Sequence, residues 1–485
     1  MPTEANTVLL RREVMVRLLK AFMADELEKK ADDLPFDMRP KHAEVPYRCC
    51  IHKERAVLRE RAIAAMGGSV EDDDDKTPLS EYARRALKRE KPDAAVMTVI
   101  DSACKGCGPT RIYVTDLCRG CVARPCTTAC AFGAISVKDG RSYIDNDKCK
   151  KCTKCMQVCP YGAIAKTKVP CEDSCPVGAI TKNTEKYAEI DSSRCLSCGQ
   201  CMAHCPFGAV AEKSQIIDIL AKIKEGKTVV AMLAPAVAGQ YAAGINKIAA
   251  GLAKTGFTKV IEVAEGADIT AKNEAKDFAE RMERGDKFMT TSCCAAYREM
   301  VKKVAPELKP FVSETATPMH YTAELAKKRY PGCVTVFVGP CVAKRSEGLG
   351  DEFVDYVMNF EEMGAWLAAF DIDPAKCEDY VFDIPTSKQA RNFPLTGGVA
   401  ESVRVAGAGK VEVRPTCVDG LNPKTVREMI MWAKKGECPL GNIAEVMACE
   451  GGCISGAACL NANKKAAAKI VSTYADKAPD LKPEE

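Results

Sequence analysis

The sequence has little excess charge: 70 basic against 66 acidic side chains leave 485 residues with a formal +4. Phosphate neutralisation needs a concentrated basic surface, so near-neutrality argues against a nucleic-acid protein. A long uninterrupted apolar run is also missing. The longest, from Val229 to Ala253, is broken by Gln240, Asn246 and Lys247. Crossing a bilayer with such a segment is costly, and no membrane insertion is expected. The stretch from Met1 to Lys20 carries Glu4, Arg11, Arg12 and Glu13 without an apolar core or a small-residue cleavage site. It does not read as a Sec signal, and a cytoplasmic location is expected. Histidine is scarce, four in all. His204 and His320 stand alone rather than in a coordination set and read as structural.

Cysteine is abundant, at 28 residues. A reducing compartment does not support so large a disulfide scaffold, which leaves metal. Two are at Cys49 and Cys50, sixteen lie from Cys104 to Cys205, none from Pro206 to Ser292, and ten from Cys293 to Cys459. A 47% hydrophobic content over this length predicts a sizeable core divided into two or three domains.

In the dense module, Cys149, Cys152, Cys155 and Cys159 follow CxxCxxCxxxC with Pro160 behind, and Cys195, Cys198, Cys201 and Cys205 repeat it with Pro206. Zinc sites usually pair two CxxC knuckles, whereas these runs, ending in Tyr161-Gly162-Ala163-Ile164 and Phe207-Gly208-Ala209-Val210, resemble bacterial ferredoxins. In such a run three thiolates embrace one cubane and the fourth ligates its neighbour. A third run, Cys118, Cys121, Cys126 and Cys130, has a longer middle gap. Crosswise pairing predicts one 4Fe-4S cluster on Cys118, Cys121, Cys126 and Cys159, and another on Cys149, Cys152, Cys155 and Cys130. The fragment from Cys171 to Cys175 looks like a half-motif that has lost its first CxxC, which Cys104 and Cys107 would replace. Clusters on Cys195, Cys198, Cys201 with Cys175, and on Cys104, Cys107, Cys171 with Cys205, then bring the accessory total to three or four. Zinc, or no metal, is the alternative for Cys104 and Cys107.

Residues 1–100 show apolar residues at helical intervals and predict a helical N-terminal region, with Gly67-Gly68-Ser69 and the acidic run Glu71 to Asp75 as a solvated linker. Residues 101–212 form the ferredoxin-like domain, 213–470 an α/β domain, and 471–485 a tail. In the α/β domain, Thr228–Leu233, Lys259–Val263 and Val334–Val338 read as strands, and Ala271–Arg284 as a helix. This alternation predicts parallel strands whose ends place functional residues. Cys49 and Cys50 read as plain thiols or redox-active ones.

Three segments in this last domain, Thr291-Ser292-Cys293-Cys294-Ala295-Ala296-Tyr297, Gly339-Pro340-Cys341-Val342-Ala343-Lys344-Arg345-Ser346-Glu347 and Glu445-Val446-Met447-Ala448-Cys449-Glu450-Gly451-Gly452-Cys453, resemble in order the three signatures of the FeFe-hydrogenases. The resemblance implies a multidomain α/β protein ending in an FeFe-hydrogenase catalytic domain. It implies an H-cluster, a 4Fe-4S cubane on Cys294, Cys341, Cys449 and Cys453 bridged through Cys453 to a diiron centre with CO, CN and azadithiolate ligands. Cys293 is left as a free thiol that passes protons, Lys344 pairs with a cyanide, Met447 packs on the diiron ligands, and Pro340 and Thr317 line the pocket. A proton route through Glu274, Ser313 and Asp277, with Arg281 at its surface end, is implied as well, and residues 274, 277 and 281 share one helix face. Ferredoxin or a similar electron carrier and H-cluster maturation proteins are the implied partners.

Ala295-Ala296-Tyr297 replaces the family's Pro-Gly-Trp, Gly339 its Met, and Ser455-Gly456-Ala457-Ala458-Cys459 its glycine-rich ending, a variant set similar to the group B branch. Cys333, Cys377, Cys417, Cys438 and Cys459 read as small buried thiols, with Cys417 and Cys459 also placed to support the site. The expected activity is 2H⁺ + 2e⁻ ⇌ H₂. The rivals are a hydrogen or redox sensor with the same cofactor, and a non-catalytic iron-sulfur protein. The sensors' added signalling domain is not expected after residue 470, and a protein holding only a cubane needs none of Cys293, Lys344 and Met447.

Overall fold

Residues 6–43, 47–407 and 411–482 are described by the computed structural model. The N-terminal region is helical, with Asn6–Met23 and Ile51–Ala65 as its longest helices. It is not a separate unit. Val14, Leu18 and Leu19 share one apolar core with Val229, Met232 and Trp366 of the α/β domain. The Arg11 guanidinium makes two 2.8 Å bonds to Glu361. Nor is the acidic run a free linker: Glu71 accepts from Val99 N at 2.8 Å, and Asp73 accepts from Arg59 and from the Tyr82 hydroxyl at 2.9 Å each. Backbone N–H groups and a guanidinium hold these carboxylates on the body, an arrangement invisible in the local charge pattern.

The cysteine-rich region is built from short antiparallel pairs nested one inside another. Met97–Val99 pairs with Val210–Glu212 and brackets the whole. Within it, Arg111–Val114 pairs with Ile164–Thr167 and brackets a smaller module. The inner module contains the runs from Cys118 to Cys159. The outer layer packs Cys104 in one cluster with Cys171, Cys175, Cys195 and Cys201. One local device recurs four times. After Cys130, Cys159, Cys175 and Cys205, a glycine in the left-handed region (Gly133, Gly162, Gly178, Gly208) turns the chain. The next residue's N–H then points back at the sulfur, 3.1–3.4 Å away. A side chain at that φ is strained, which explains the repeated Gly-Ala.

Among the described residues, the α/β domain has seven parallel strands: β1 (Val229–Leu233), β2 (Lys259–Glu262), β3 (Met289–Thr290), β4 (Val334–Gly339), β5 (Tyr356–Asn359), β6 (Pro415–Asp419) and β7 (Ile443–Met447). They form a sheet in the order β2-β1-β4-β5 and a second in the order β3-β7-β6. Runs such as Val-Val-Ala-Met-Leu in β1 are buried throughout, as parallel strands covered on both faces require. Helix Ala264–Glu283 packs closely on helix Pro318–Arg329, since a Cβ on Gly266 would collide with Pro318 O. Residues 471–482 are no loose tail. Helix Lys464–Ala475 buries Val471 and Ala475, Tyr474 donates to Glu262 at 2.7 Å, and Leu481 N donates to Gln389 at 2.7 Å.

Candidate active site

Ligands of open α/β sheets gather beyond the carboxyl ends of the strands. Here Cys293 and Cys294 follow β3, Cys341 follows β4, and Cys449 follows β7. Both sheets thus aim cysteines at one centre. Burial pushes the Cys294, Cys341, Cys449 and Cys453 thiols up, Cys341 to about 11, and each of the four is raised further by, or raises, its neighbours in the set. Four half-buried thiols that resist ionising together could serve as donors to a cationic iron-sulfur core. The close approach of Gly456 to the Pro340 carbonyl locks the Cys453 segment over the Cys341 segment.

Cys293 lies beside this centre, within electrostatic reach of Glu274, Glu445, Cys294 and Cys453. Burial, reinforced by the two carboxylates, raises its thiol well above the ordinary value. That departs from the near-normal value expected of a free thiol, and it keeps Cys293 protonated. Glu274 is fully buried, and burial pushes its carboxyl up to about 7 despite hydrogen bonds from Ser292 N (2.8 Å) and Ser292 Oγ (3.0 Å). Its Oε2 has no protein hydrogen-bond partner.

The rest of the expected route is arranged differently. Ser292, not Ser313, bonds Glu274, and its hydroxyl also donates to Thr315 O at 2.6 Å. The Ser313 hydroxyl accepts from Thr315 N at 3.2 Å. Asp277 accepts from Arg281 Nε at 2.7 Å and from Glu314 N at 3.0 Å. Arg281 is not at the surface. It is 3% exposed and spends its guanidinium on Pro310 O and Val312 O at 2.7 and 2.9 Å. The 310–312 segment folds over the helix face and buries the residue that periodicity alone placed outside.

Lys344 is buried, donates to Glu347 at 2.7 Å and reaches Cys293 O at 3.4 Å. Burial alone would lower its ammonium, but Glu347 and the Cys341 and Cys293 sulfurs outweigh it and hold the charge. Thr317 also bonds Glu347. Met447 is 2% exposed and packs in one cluster with Cys293, Cys294 and Cys453. Glu347, Ser292 and Glu445 were given no role from sequence. Glu445 carried a signal, an acid inside the buried strand β7. Its carboxylate accepts from Gly397 N at 2.8 Å and Ala400 N at 2.9 Å, and burial pushes it up to about 7. Cys459 donates to Cys453 O at 3.4 Å. Cys333 and Cys377 are buried, whereas Cys417 is exposed on β6 opposite Glu445, against the expectation of a buried thiol. His320 is bonded to Asp351 at 2.8 Å and His204 to Gln200 O at 2.9 Å.

In the ferredoxin-like region, Cys118, Cys121, Cys126 and Cys159 line one cavity, and Cys130, Cys149, Cys152 and Cys155 another. Cys175 lies in electrostatic reach of Cys195, Cys198 and Cys201, and Cys171 of Cys205. Cys104 packs in the same cluster as Cys171, and Cys107 O accepts from Lys182. Among the described residues, no three His, Cys, Asp or Glu side chains are gathered tightly enough for a single metal ion.

Residues 227–457 match the model of the iron-only hydrogenase large subunit, C-terminal domain. This match and the relatives that share it indicate an FeFe-hydrogenase. Upstream of this FeFe-hydrogenase domain, residues 142–165 match a 4Fe-4S binding domain and 165–216 the LdpA Fe-S cluster-binding domain. The family and these domains indicate 4Fe-4S and H-cluster cofactors. The chain is 29% identical over 304 residues to the periplasmic [Fe] hydrogenase large subunit of Nitratidesulfovibrio vulgaris, covering 50% of this chain and 72% of that protein. It is 27% identical over 300 residues to iron hydrogenase 1 of Clostridium pasteurianum, and 28% identical over 303 residues to the NADP-reducing hydrogenase subunit HndD of Solidesulfovibrio fructosivorans. These matches cover 50% of this chain each, and 52% and 51% of those proteins. A solved [FeFe]-hydrogenase HydA1 from Chlamydomonas reinhardtii is similar at 20% identity and a TM-score of 0.46, covering 56% of this chain and 91% of that one. No helix among the described residues is long and apolar enough to cross a membrane.

The raised Glu274 carboxyl has a consequence for stability. Its folded value of about 7 lies above the unfolded value of about 4.3, so between these the native state binds the extra proton. Stability then falls as pH rises through that window. Glu274→Gln removes this titration while preserving shape. The difference in melting midpoint between wild type and variant should move in the variant's favour by roughly 2–4 °C from pH 5 to pH 7.5. Parallel melting curves at both pH values would show that Glu274 is ionised throughout.

Proposed function

We propose that this chain is a hydrogenase interconverting protons, electrons and H₂, with Cys294, Cys341, Cys449 and Cys453 holding the H-cluster. That cofactor supplies the site where two protons and two electrons combine. The observation that carries the reading is Cys293, a half-buried thiol packed in one cluster with Cys294, Cys453 and Met447 and within electrostatic reach of Glu274. Cys293 holds a proton at Sγ beside the centre. Ser292 orients Glu274 by two hydrogen bonds and leaves Oε2 free to exchange a proton with Cys293 or a water. Lys344, kept charged by Glu347, presents an ammonium to an anionic ligand. Met447 and its apolar neighbours exclude bulk water, so protons move only where groups hand them on. The departures at Ala295-Ala296-Tyr297 and Cys459 fit a group B-like branch. Tyr297 is fully buried, with its hydroxyl 2.8 Å from Thr290.

Electrons enter, on this reading, from a ferredoxin or similar carrier at the inner cysteine module. Cys152 is exposed and collared by the exposed Lys148, Lys150, Lys151 and Lys154, a surface complementary to an acidic carrier. The chain loaded by the maturation proteins should contain iron and acid-labile sulfide for four to five cubanes and evolve hydrogen from reduced methyl viologen. With an acidic ferredoxin as donor, the rate should fall as salt rises. A loaded diiron centre without turnover would favour the sensor, and failure to load it the non-catalytic protein.

A further inference from the structure

The loop of one cluster touches a ligand of the other through a single side chain. Gln200 lies between Cys198 and Cys201 of the ferredoxin-like run, yet its Nε2 is 3.4 Å from Cys449 Sγ. The contact is built in. Gly199 has φ +74, and a Cβ there would stand 2.7 Å from the Ala457 Cβ and 3.0 Å from Val342 Cγ2, so the Cys198–Cys201 loop is pressed against both the Cys341 and Cys453 segments. Cys198 is correspondingly in electrostatic reach of Cys341 and Cys449.

We propose that Gln200 is a positioning residue for electron transfer. Its amide N–H donates to the Cys449 sulfur and raises the reduction potential of the catalytic cubane relative to the ferredoxin-like cluster beside it. This rests on reading Cys449 as a cubane ligand. The physical basis is that a hydrogen bond to a ligating sulfur draws electron density from it and favours the more negative, reduced core. Cys449 is only partly exposed, which limits the screening of the effect by solvent. Cys294 and Cys341 instead face backbone N–H groups, of Tyr297 and Ala448 and of Lys344 and Ala343, which no side-chain substitution removes. Gln200 is half-buried and donates through its side chain, so a substitution there removes the donor and leaves the backbone N–H groups in place.

The test is an EPR-monitored redox titration of the full-length, cluster-loaded chain. The catalytic cubane is identified as the signal lost in Cys449→Ala. Gln200→Leu removes the donor, Gln200→Glu exchanges it for an anion of equal shape, and Gln200→Arg keeps N–H donors. At a fixed potential, the reduced-to-oxidised ratio of this cubane should fall about three- to tenfold in the Leu and Glu variants, tenfold being about 59 mV for one electron. The Arg variant should show no fall. Midpoints equal to wild type in both the Leu and Glu variants would overturn the proposal and leave the cubane reading standing. A wild-type chain with no signal sensitive to Cys449→Ala would overturn the cubane reading and the proposal with it.

Discussion

Replacing Cys293 by alanine is expected to lower hydrogen turnover by about 100-fold or more while iron, sulfide and the infrared bands of the CO and CN ligands stay as in wild type. The argument is positional. Cys293 is adjacent in sequence to the ligand Cys294, and its sulfur is in electrostatic reach of both Cys294 and Cys453. On its other side are Glu274 and Glu445, both buried carboxyls pushed up to about 7. Under the proposed function, a thiol in this position would carry a proton between a carboxyl pushed up to about 7 and the reacting centre. Alanine leaves a gap in the chain of exchangeable groups without removing a metal ligand. Serine keeps a hydrogen-bonding group but not an acid of comparable strength, and should also be slow. Wild-type turnover in Cys293→Ala would take the residue out of the mechanism. Loss of cubane iron would instead make it a ligand.

Much of this site was legible because the chemistry is written in short range. The Cys293-Cys294 pair, Lys344 three residues after Cys341, and Met447 two residues before Cys449 each lie at or just beyond the end of one strand, so local order carries the geometry. The local turns of the ferredoxin-like module were legible for the same reason: Cys-x-x-Cys spacing and left-handed glycines act within a few residues. What was not legible depends on segments far apart in sequence. Periodicity put Arg281 on the right helix face, but only the packing of residues 310–312 decides that this face is covered. The resemblance put Ser313 in the route, whereas the fold puts Ser292 on Glu274 and turns the Ser313 hydroxyl to Thr315 N. The N-terminal helices read as a separate region because nothing local announces that Arg11 meets Glu361 across 350 positions.

Arg345→Met is expected to cost about 3–5 kcal/mol of stability, the largest structural effect among these substitutions. Arg345 is 1% exposed in helix Ala343–Leu349, four residues beyond Cys341. Its Nη1 is 2.7 Å from Glu212 and donates to Lys213 O at 3.1 Å, and its Nη2 pairs with Glu362. Glu212 closes the outermost strand pair of the ferredoxin-like region, while Glu362 caps helix Phe360–Ala369 by accepting from Asn359 N at 2.8 Å. One guanidinium therefore joins the cluster-carrying region to the α/β domain beside a cubane ligand. Methionine fills the volume but takes the arginine charge away from both carboxylates, leaving Glu212 only the pull of Arg11. Burial already pushes Glu212 up to about 7 against the pull of Arg345. Without the arginine its folded value rises further above the unfolded one, so the variant takes up a proton near neutrality and its deficit grows from pH 5 to pH 8. Urea midpoints read at both pH values by the fluorescence of Trp366, buried on the Glu362 helix, measure this directly. Adding Glu212→Gln to Arg345→Met should recover part of the loss at pH 8 and little at pH 5. A single variant as stable as wild type at both pH values would mean that the two carboxylates are protonated and the junction is held by packing alone.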